Sequence, residues 1–286
     1  MSGPLLVFTT DFGLVDPYAG VMKGVALTIN PDIRMVDLTH QVRPQSISQG
    51  SFLLGINHRY FPDDAIHVAV VDPGVGTTRR PILLATPNGR FVAPDNGLLS
   101  GVVARYAAWE NDQSSPKTPG PLPLPDGLSA VHLTNPDFWR LPVSHTFHGR
   151  DIFTPVAAHL SLGVPAEEMG EPIDDLTYLP AELPTQRGGV ITGRVIYQDV
   201  YGNLVTNVAG ARLLDPGATE VIIKGRSIHG LRRTFVDDGA EDTGHGRLVA
   251  LVGSHGYLEV AVPNGSAAAF LEAADGEPVE VVVPAI

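Results

Sequence analysis

The first 71 residues alternate short apolar runs with amphipathic stretches, and this alternation restricts the possible folds more than any other feature of the sequence. Apolar runs at 5–9, 33–38 and 66–71 predict buried strands. The segments between them, 17–30 and 46–60, predict helices. The order strand, helix, strand, helix, strand is typical of a mostly parallel sheet covered by helices, because parallel strands need long crossover connections.

The chain then continues with a different kind of connection. Residues 81–86 and 90–93 flank Pro87-Asn88-Gly89, a sequence that favours a hairpin turn. Residues 111–127 are rich in proline and glycine and indicate a long surface excursion. The other elements predicted for this part are two helices and one strand, at 98–108, 152–162 and 130–133.

A second domain is indicated by a change in the hydrophobic period. Residues 163–186 are proline-rich and loop-like, and after Gly188 the sequence consists of short β-rich runs separated by turn residues, at 190–197, 204–208, 220–223, 248–252, 257–262 and 280–283. This pattern predicts an all-β barrel or sandwich. We therefore expect an α/β N-terminal domain over 1–186, with a mostly parallel sheet, and an all-β C-terminal domain over 187–286.

Composition and charge exclude several classes of function. The chain has no cysteine, which excludes disulfides, thiolate nucleophiles and cysteine metal sites. A formal net charge of −12 argues against a nucleic-acid partner, which would require a basic face. The sequence contains no signal-peptide pattern and no apolar run long enough to cross a bilayer, so a cytoplasmic protein without membrane contact is expected.

Polar residues stand where the predicted parallel strands end. Asp11 follows the first strand, and Asp72 follows the third in Asp72-Pro73-Gly74-Val75-Gly76, with Arg79 and Arg80 close behind. Open α/β sheets place their sites at the carboxyl ends of the strands. A carboxylate at Asp11 suits a ribose diol, since it accepts two hydroxyl hydrogen bonds. The structural alternative is an Asx-turn at Asp11 and a salt-bridged turn after Asp72.

Two positions next to predicted helices also carry polar side chains. His148 lies in Thr146-Phe-His-Gly-Arg-Asp151, and its pKa near neutrality suits proton transfer. Asp151 is predicted to cap the helix that follows. Asp16 precedes Pro17 and is predicted to be a helix N-cap, although it also suits a bound amino group.

Loops of the second domain carry further candidates. Tyr201-Gly202-Asn203 is predicted to be a turn between two strands, with Asp199 beside it. The amide of Asn203 can pair a donor and an acceptor with an adenine edge. Ser254, in a similar loop, can offer a hydroxyl group to a carboxylate. Each loop is equally compatible with a hairpin turn that binds nothing.

Taken together, these segments resemble the S-adenosylmethionine hydrolase (hydroxide adenosyltransferase) family, whose relatives include the 5′-fluorinase and chlorinase. The resemblance rests on six motifs in the same order over nearly the whole chain: Thr10-Asp-Phe-Gly13, Val71–Gly76 with Arg79-Arg80, Pro94-Asp-Asn-Gly97, Thr146–Arg150, Asp199–Asn207 and Gly253–Tyr257. A single one of these motifs is weak evidence, but six in order are specific.

The resemblance implies a reaction and a set of residues. It implies displacement at C5′ of S-adenosylmethionine by water or hydroxide, which gives adenosine and methionine without a metal or cofactor. Catalysis is then expected from Asp72, Arg79 and His148, with either Asp72 or His148 as the proton acceptor. Substrate contacts are expected from Asp11 (ribose), Asp16, Asp199 and Ser254 (methionine), and Asn203 and Phe235 (adenine). The family also implies a homotrimer with sites between subunits.

Some positions depart from the halogenases. The fluorinase has a tyrosine at the position of Asp72 and a Tyr-Ser pair at His148-Gly149, so the halide-holding serine is missing here. The halogenases' pocket tryptophan corresponds roughly to Gln45. These departures favour water as the nucleophile. The alternatives are a halogenase, a metal-dependent phosphoesterase that uses Asp11, Asp16, Asp72 and His148, and a non-catalytic adenosyl-ligand binding protein.

Overall fold

The computed structural model describes residues 4–107, 116–213, 215–235 and 248–283. The chain divides into two compact units, Met1–Ala181 and Glu182–Ile286. The predicted domain limit at residue 186 stays a prediction. No helix in the described ranges combines the length and the apolar character that a membrane span needs.

The N-terminal unit is built on a seven-stranded mixed sheet. Strands β1 to β9 cover Leu5–Thr10, Arg34–Thr39, Ile66–Val70, Pro81–Thr86, Gly89–Pro94, Gly120–Pro123, Ser129–Leu133, Gly170–Ile173 and Asp175–Tyr178. The sheet order is β2-β1-β3-β5-β4-β7-β8, and β6 pairs with β9 in a separate two-stranded sheet. The pairs among β2, β1, β3 and β5 are parallel, whereas β4, β7 and β8 add antiparallel pairs. The predicted α/β class is confirmed.

Helices cover both faces of the sheet. Helices α1 to α4 cover Tyr18–Ile29, Ile47–Asn57, Ser100–Val103 and Thr154–Ser161. Leu6 and Phe8 of β1 join a core with residues of α1 and α4, while residues of α2 and α3 share a second core with β4 and β5. Strand β1 is buried along its whole length, which explains its continuous apolar sequence.

Several local predictions for this unit were wrong. Helix α1 begins after Pro17, and Asp16 makes no capping hydrogen bond. Helix α3 is only four residues long, although we predicted a helix over 98–108. The segment 163–186, predicted to be loop-like, contains β8 and β9, because its short strands complete sheet edges that are distant in sequence. Part of the predicted excursion, residues 108–115, lies outside the described residues.

The C-terminal unit is an antiparallel, nearly closed barrel, which is one of the two all-β architectures that the sequence predicts. Strands β10 to β17 cover Thr185–Arg187, Val190–Gln198, Leu204–Ala209, Glu220–Ile223, Arg226–His229, Val249–Val252, Tyr257–Ala261 and Pro278–Val282. Their order is β14-β13-β17-β11-β12-β16-β15, with β10 paired to β11. A bridge between Arg232 and Leu251 joins the segment after β14 to β15. A short helix α5, Ala267–Leu271, packs against the barrel core.

Candidate active site

A cavity of about 380 Å³ opens at the carboxyl ends of β1 and β3, the two adjacent parallel strands. Its lining combines carboxylates, aromatic rings and one histidine: Asp11, Phe12, Tyr18, Pro44, Gln45, Val70, Asp72, Pro73, Val75, Thr146, Phe147, His148 and Gly149. None of these described lining residues is a lysine or an arginine. The cavity therefore suits a ligand that carries positive charge on an apolar body.

Asp72 and His148 line one side of this cavity, and Arg79, which lies behind the lining residues, contacts both of them. The guanidinium group of Arg79 donates through Nε to Asp72 Oδ1 at 2.9 Å and through Nη2 to Asp72 Oδ2. The same Nη2 lies 2.7 Å from His148 Nδ1. The side chains of Arg79 and Asp72 are only 9% and 4% exposed, so this ion pair is screened little by solvent. The structure therefore brings together three residues that lie up to 76 positions apart, from Asp72 to His148.

A glycine at position 76 permits this contact. Gly76 has φ +78°, and a Cβ atom there would lie 2.5 Å from the carbonyl oxygen of His145. The loop that carries Arg79 can therefore approach the loop that carries His148 only if residue 76 has no side chain.

His148 is held by the turn that follows it. Residues Gly149–Phe153 form a π-helix before α4, an arrangement that is often found at functional sites. The carboxylate of the fully buried Asp151 accepts hydrogen bonds from Ser144 N at 2.9 Å and from Arg150 Nε at 2.7 Å. Burial opposes ionisation of Asp151, but the hydrogen bonds from Arg150 and Ser144 keep its pKa below the usual range. Asp151 thus closes the loop from 144 to 151 and is not the helix cap that we predicted.

The electrostatic surroundings determine the form of His148. Burial and the charge of Arg79 lower the pKa of His148, so its ring is neutral at neutral pH. A guanidinium group can only donate hydrogen bonds, so Nδ1 is the acceptor in the contact with Arg79. The neutral ring therefore carries its proton on Nε2.

Asp11 lines the same cavity directly after β1. Its Oδ2 accepts a hydrogen bond from the backbone N–H of Gln45 at 2.7 Å, and Gln45 adopts the left-handed conformation with φ +65°. The loop from residue 10 to residue 13 is also held by His40. The hydroxyl group of Thr10 lies 2.7 Å from His40 Nδ1, and the N–H of Gly13 donates to the carbonyl group of His40. The sequence did not indicate His40, because its link to Thr10 spans 30 positions.

Arg80 has a different environment from Arg79. Its Nε donates to Asp95 Oδ2 at 2.7 Å and its Nη2 to Asp175 Oδ1 at 2.8 Å. Asp95 also accepts a hydrogen bond from Thr177 N, and Asn96 Nδ2 donates to the carbonyl group of Val71. The Pro94–Gly97 motif therefore fixes the end of the sheet and does not line the cavity.

The remaining predicted residue of this unit, Asp16, is exposed and is not among the residues that line the cavity. It lies in a loop with Leu14 and Val15, which are 67% and 100% exposed. No contact of Asp16 with the trio formed by Asp72, Arg79 and His148 is present among the described residues.

In the C-terminal unit, Asp199 and Asn203 contact each other. Asp199 Oδ1 accepts from the backbone N–H groups of Tyr201 and Asn203, and Asp199 Oδ2 accepts from Asn203 Nδ2 at 2.8 Å. This is the predicted turn between β11 and β12. Ser254 lies in the β15–β16 loop, at the opposite end of the paired strands β12 and β16. Phe235 is 42% exposed.

The sequence prediction missed three aromatic residues that line the cavity. Phe12, Tyr18 and Phe147 pack against one another with centroid distances of 5.1 to 5.8 Å. Their positions in the sequence, close to Asp11, Asp16 and His148, could have indicated that they line the site. Apolar residues next to a motif are, however, more often core than site, so this signal is weak.

A metal-ligand cluster is not formed by these residues. Across the described parts of the chain, no group of three or more His, Asp or Glu side chains is arranged to hold a metal ion. Both carboxylate oxygens of Asp72 accept hydrogen bonds from Arg79, whose positive charge would repel a metal ion bound there.

Comparison with known proteins identifies the family. The model of the SAM hydroxide adenosyltransferase N-terminal domain matches residues 6–170, and that of the C-terminal domain matches residues 193–280. The chain is 36% identical to the (R)-S-adenosyl-L-methionine hydrolase of Salinispora arenicola, with 98% of each chain covered. It is 38% identical to the protein of the same name from Thermus thermophilus, with 96% of this chain and 98% of the relative covered.

More distant relatives and a solved structure agree with this result. A fluorinase from Actinopolyspora mzabensis is 24% identical over 91% of this chain and 91% of its own. The crystal structure of an uncharacterised conserved protein from Thermotoga maritima superposes with a TM-score of 0.81 at 31% identity, covering 96% of this chain and 99% of that one. Both domain models match in order and together span most of the chain. The chain therefore belongs to the SAM hydroxide adenosyltransferase family.

Proposed function

We propose that this protein hydrolyses S-adenosyl-L-methionine to adenosine and L-methionine by attack of an activated water molecule at C5′. The observation that carries the proposal is the contact among Asp72, Arg79 and His148 at the wall of a cavity that also presents Asp11. The relatives from Salinispora arenicola and Thermus thermophilus are named (R)-S-adenosyl-L-methionine hydrolase, and we extend that activity, with the (R) configuration at sulfur, to this chain.

The leaving group needs no help from the enzyme. The sulfonium carries a full positive charge, and methionine departs as a neutral thioether, so no general acid is required. The difficult partner is water, whose pKa of about 15.7 makes it a poor nucleophile. The work of the site is therefore to favour hydroxide and to hold it in line with C5′.

The contacts among Asp72, Arg79 and His148 support a different role for each residue. The cationic Arg79 stabilises developing hydroxide electrostatically. His148 carries its proton on Nε2, so this atom is a donor and can orient the oxygen by a hydrogen bond. Each Asp72 oxygen accepts one hydrogen bond from Arg79 and keeps a further lone pair. We therefore assign proton acceptance to Asp72 and orientation to His148.

Gly149 argues against a halogenase. A Cβ atom at this position would lie 3.1 Å from Met22 Sδ and 3.2 Å from Phe147 Cε2. A serine there would require Met22 or Phe147 to shift by a few tenths of an ångström, so the packing around residue 149 favours the glycine over the serine that the fluorinase has at this position.

Binding of the rest of the substrate completes the proposal. We assign the ribose to Asp11, the methionine end to Asp16, Asp199 and Ser254, and the adenine to Asn203 and Phe235. We propose a homotrimer in which the C-terminal unit of one copy completes the cavity of the next. The exposed apolar residues beside the cavity, Leu14 and Val15, and those of the β11–β12 turn, Val200 and Tyr201, support such a contact. Independence of metal ions and a cytoplasmic location belong to the same proposal.

The test is product analysis with labelled water. We expect the purified protein, in halide-free buffer containing H₂¹⁸O, to convert (R)-S-adenosyl-L-methionine to equal amounts of methionine and adenosine, with the label in the 5′-hydroxyl group. The (S) epimer at sulfur should react more slowly, and a chelator should not change the rate. Multi-angle light scattering and cell fractionation test the trimer and the location.

Several outcomes would contradict the proposal. Loss of activity with chelator would indicate a metal-dependent hydrolase, and a chloride-dependent 5′-chloro product would indicate a halogenase. Tight substrate binding without any product would indicate a binding protein. Asp72→Ala and His148→Ala should each lose most turnover and keep substrate binding, whereas the exposed Arg59→Ala should behave like the parent.

A further inference from the structure

Three aromatic rings form one wall of the cavity. The ring centroids of Phe12 and Tyr18 are 5.6 Å apart, those of Phe12 and Phe147 5.8 Å, and those of Tyr18 and Phe147 5.1 Å. Phe147 stands nearly perpendicular to both of the other rings, at 78° and 87°. We call these three residues the aromatic wall. The three rings therefore pack against one another, and all three also line the cavity. Aromatic rings in the lining of a site attract organic cations.

The charges near the wall favour a cation as well. Asp11 and Asp72 line the same cavity, and no lysine or arginine is among its described lining residues. The positive charge of Arg79 is balanced by Asp72 in a two-contact ion pair. His148 is neutral, since burial and Arg79 lower its pKa. The carboxylate of Asp11, which accepts a hydrogen bond from the backbone N–H of Gln45, is therefore available to attract a cation.

One ring already contacts a cation. The guanidinium carbon of Arg150 lies 5.4 Å from the ring centroid of Phe147. Arg150 does not line this cavity but lines a separate groove with Trp139 and Arg140. Because Phe147 already interacts with the charge of Arg150, we expect Phe12 and Tyr18 to contribute most to the binding of a ligand cation.

We propose that the aromatic wall recognises the sulfonium charge of the substrate, so that the protein binds the cation in preference to the corresponding neutral thioether. The inference rests on the proposed function, because that function supplies a substrate with a positive sulfur. A direct consequence concerns the products: attack of hydroxide turns the sulfonium into a neutral thioether, which loses its attraction to the rings. Methionine then dissociates more easily than the substrate.

The test compares two ligands that do not react. One is S-adenosyl-L-homocysteine, a neutral thioether; the other is the aza analogue, in which a protonated methylamine replaces the methylated sulfur, used at a pH where that amine is charged. Dissociation constants are measured by titration calorimetry on the full-length protein. We expect the parent to bind the charged ligand about tenfold more tightly or better, and Tyr18→Leu and Phe12→Leu each to reduce this ratio about fivefold.

Matched variants separate charge recognition from packing. Tyr18→Phe should keep the ratio, and so should Tyr60→Leu, because Tyr60 is 67% exposed and does not line the cavity. The affinity for the neutral thioether should change less than about twofold in all of these variants. Tyr18 is 46% exposed, so its replacement does not disturb the core even if Phe12→Leu fails to fold.

Two results would overturn the inference: leucine variants that keep the parental ratio, or variants that weaken both ligands equally, which would indicate packing alone. The outcome is independent of the hydrolysis assay. A parent that binds both ligands but forms no adenosine contradicts only the proposed function. A parent that hydrolyses the substrate while the leucine variants keep the ratio contradicts only the aromatic wall.

Discussion

Strand β3 contains a buried histidine, His67, near its amino end, and a nearly buried carboxylate, Asp72, follows its carboxyl end. At the carboxyl end, Asp72 is paired with Arg79, which in turn contacts His148. At the amino end, His67 is fully buried, stacks on Phe91 at 4.7 Å and has no hydrogen-bond partner for either ring nitrogen among the described residues. Burial, and secondarily the charge of His58, lower the pKa of His67 to about 3.

The difference shows how one strand serves two purposes. The carboxyl end holds ionised groups by pairing them, which keeps charge available for chemistry. The amino end excludes charge and contributes only packing, because an ionised ring without a partner would be costly to bury. Substitutions at the carboxyl end should therefore change the catalytic rate, whereas substitutions at the amino end should change the free energy of unfolding.

The largest effect is expected at the carboxyl end. Arg79→Ala removes the charge that favours hydroxide and leaves Asp72 without its partner, so kcat should fall about 100- to 1,000-fold. Steady-state kinetics with (R)-S-adenosyl-L-methionine measures this. Arg80→Ala should lower the melting temperature and change kcat much less than Arg79→Ala does, because Arg80 contacts Asp95 and Asp175 and not the cavity. Equal losses of kcat in both variants would refute the distinction.

The amino end should respond to acid. Since the pKa of His67 is depressed in the folded state, the unfolded chain binds the additional proton as the pH falls below 6.5, and stability is lost from there down to about pH 3. Between pH 7.5 and 4.5 this contributes about 2 to 3 kcal/mol of lost unfolding free energy. Urea titrations should show a smaller loss in His67→Phe, whereas the exposed His229→Phe should match the parent.

The close contact between the loop that carries Arg79 and the loop that carries His148 can be disrupted without substitution of a catalytic residue. Gly76→Ala places a methyl group against the carbonyl oxygen of His145 and requires an L-residue at φ +78°. Displacement of Arg79 from His148 should lower kcat about tenfold, since catalysis depends strongly on position. Gly13→Ala is the control: φ there is +67°, but no atom lies within 4 Å of the added Cβ. If Gly13→Ala lowers kcat as much as Gly76→Ala, the strained conformation and not the close approach is responsible.

The smallest effect concerns the pH profile. Because burial and Arg79 lower the pKa of His148, its ring should stay neutral to below its ordinary value of about 6.5. The acidic limb of the kcat profile should therefore lie below pH 6.5 and become shallower in His148→Gln. A limb above pH 6.5 would contradict the contact with Arg79, since a protonated Nδ1 cannot accept its hydrogen bond.

The sequence by itself determined where the polar residues stand relative to the strands. Continuous apolar runs indicated buried parallel strands, and Asp11 and Asp72 directly after them were therefore expected at one edge of the sheet, where the structure has them. These features depend on local periodicity, which records burial directly. The β-rich runs after Gly188 predicted an all-β barrel or sandwich for the same reason, and the strand pairing decided for the nearly closed barrel.

Only the tertiary structure decided which groups contact one another. Arg79 and Arg80 are neighbours of the same type, yet Arg79 contacts His148 and Arg80 contacts Asp175, through contacts that span 69 and 95 positions. Strands β8 and β9 likewise depend on long-range pairing, and the hydrogen bond that Ser144 N donates to Asp151 depends on loop closure. Side-chain partners are set by how distant segments meet, and the local pattern of residues carries no record of that.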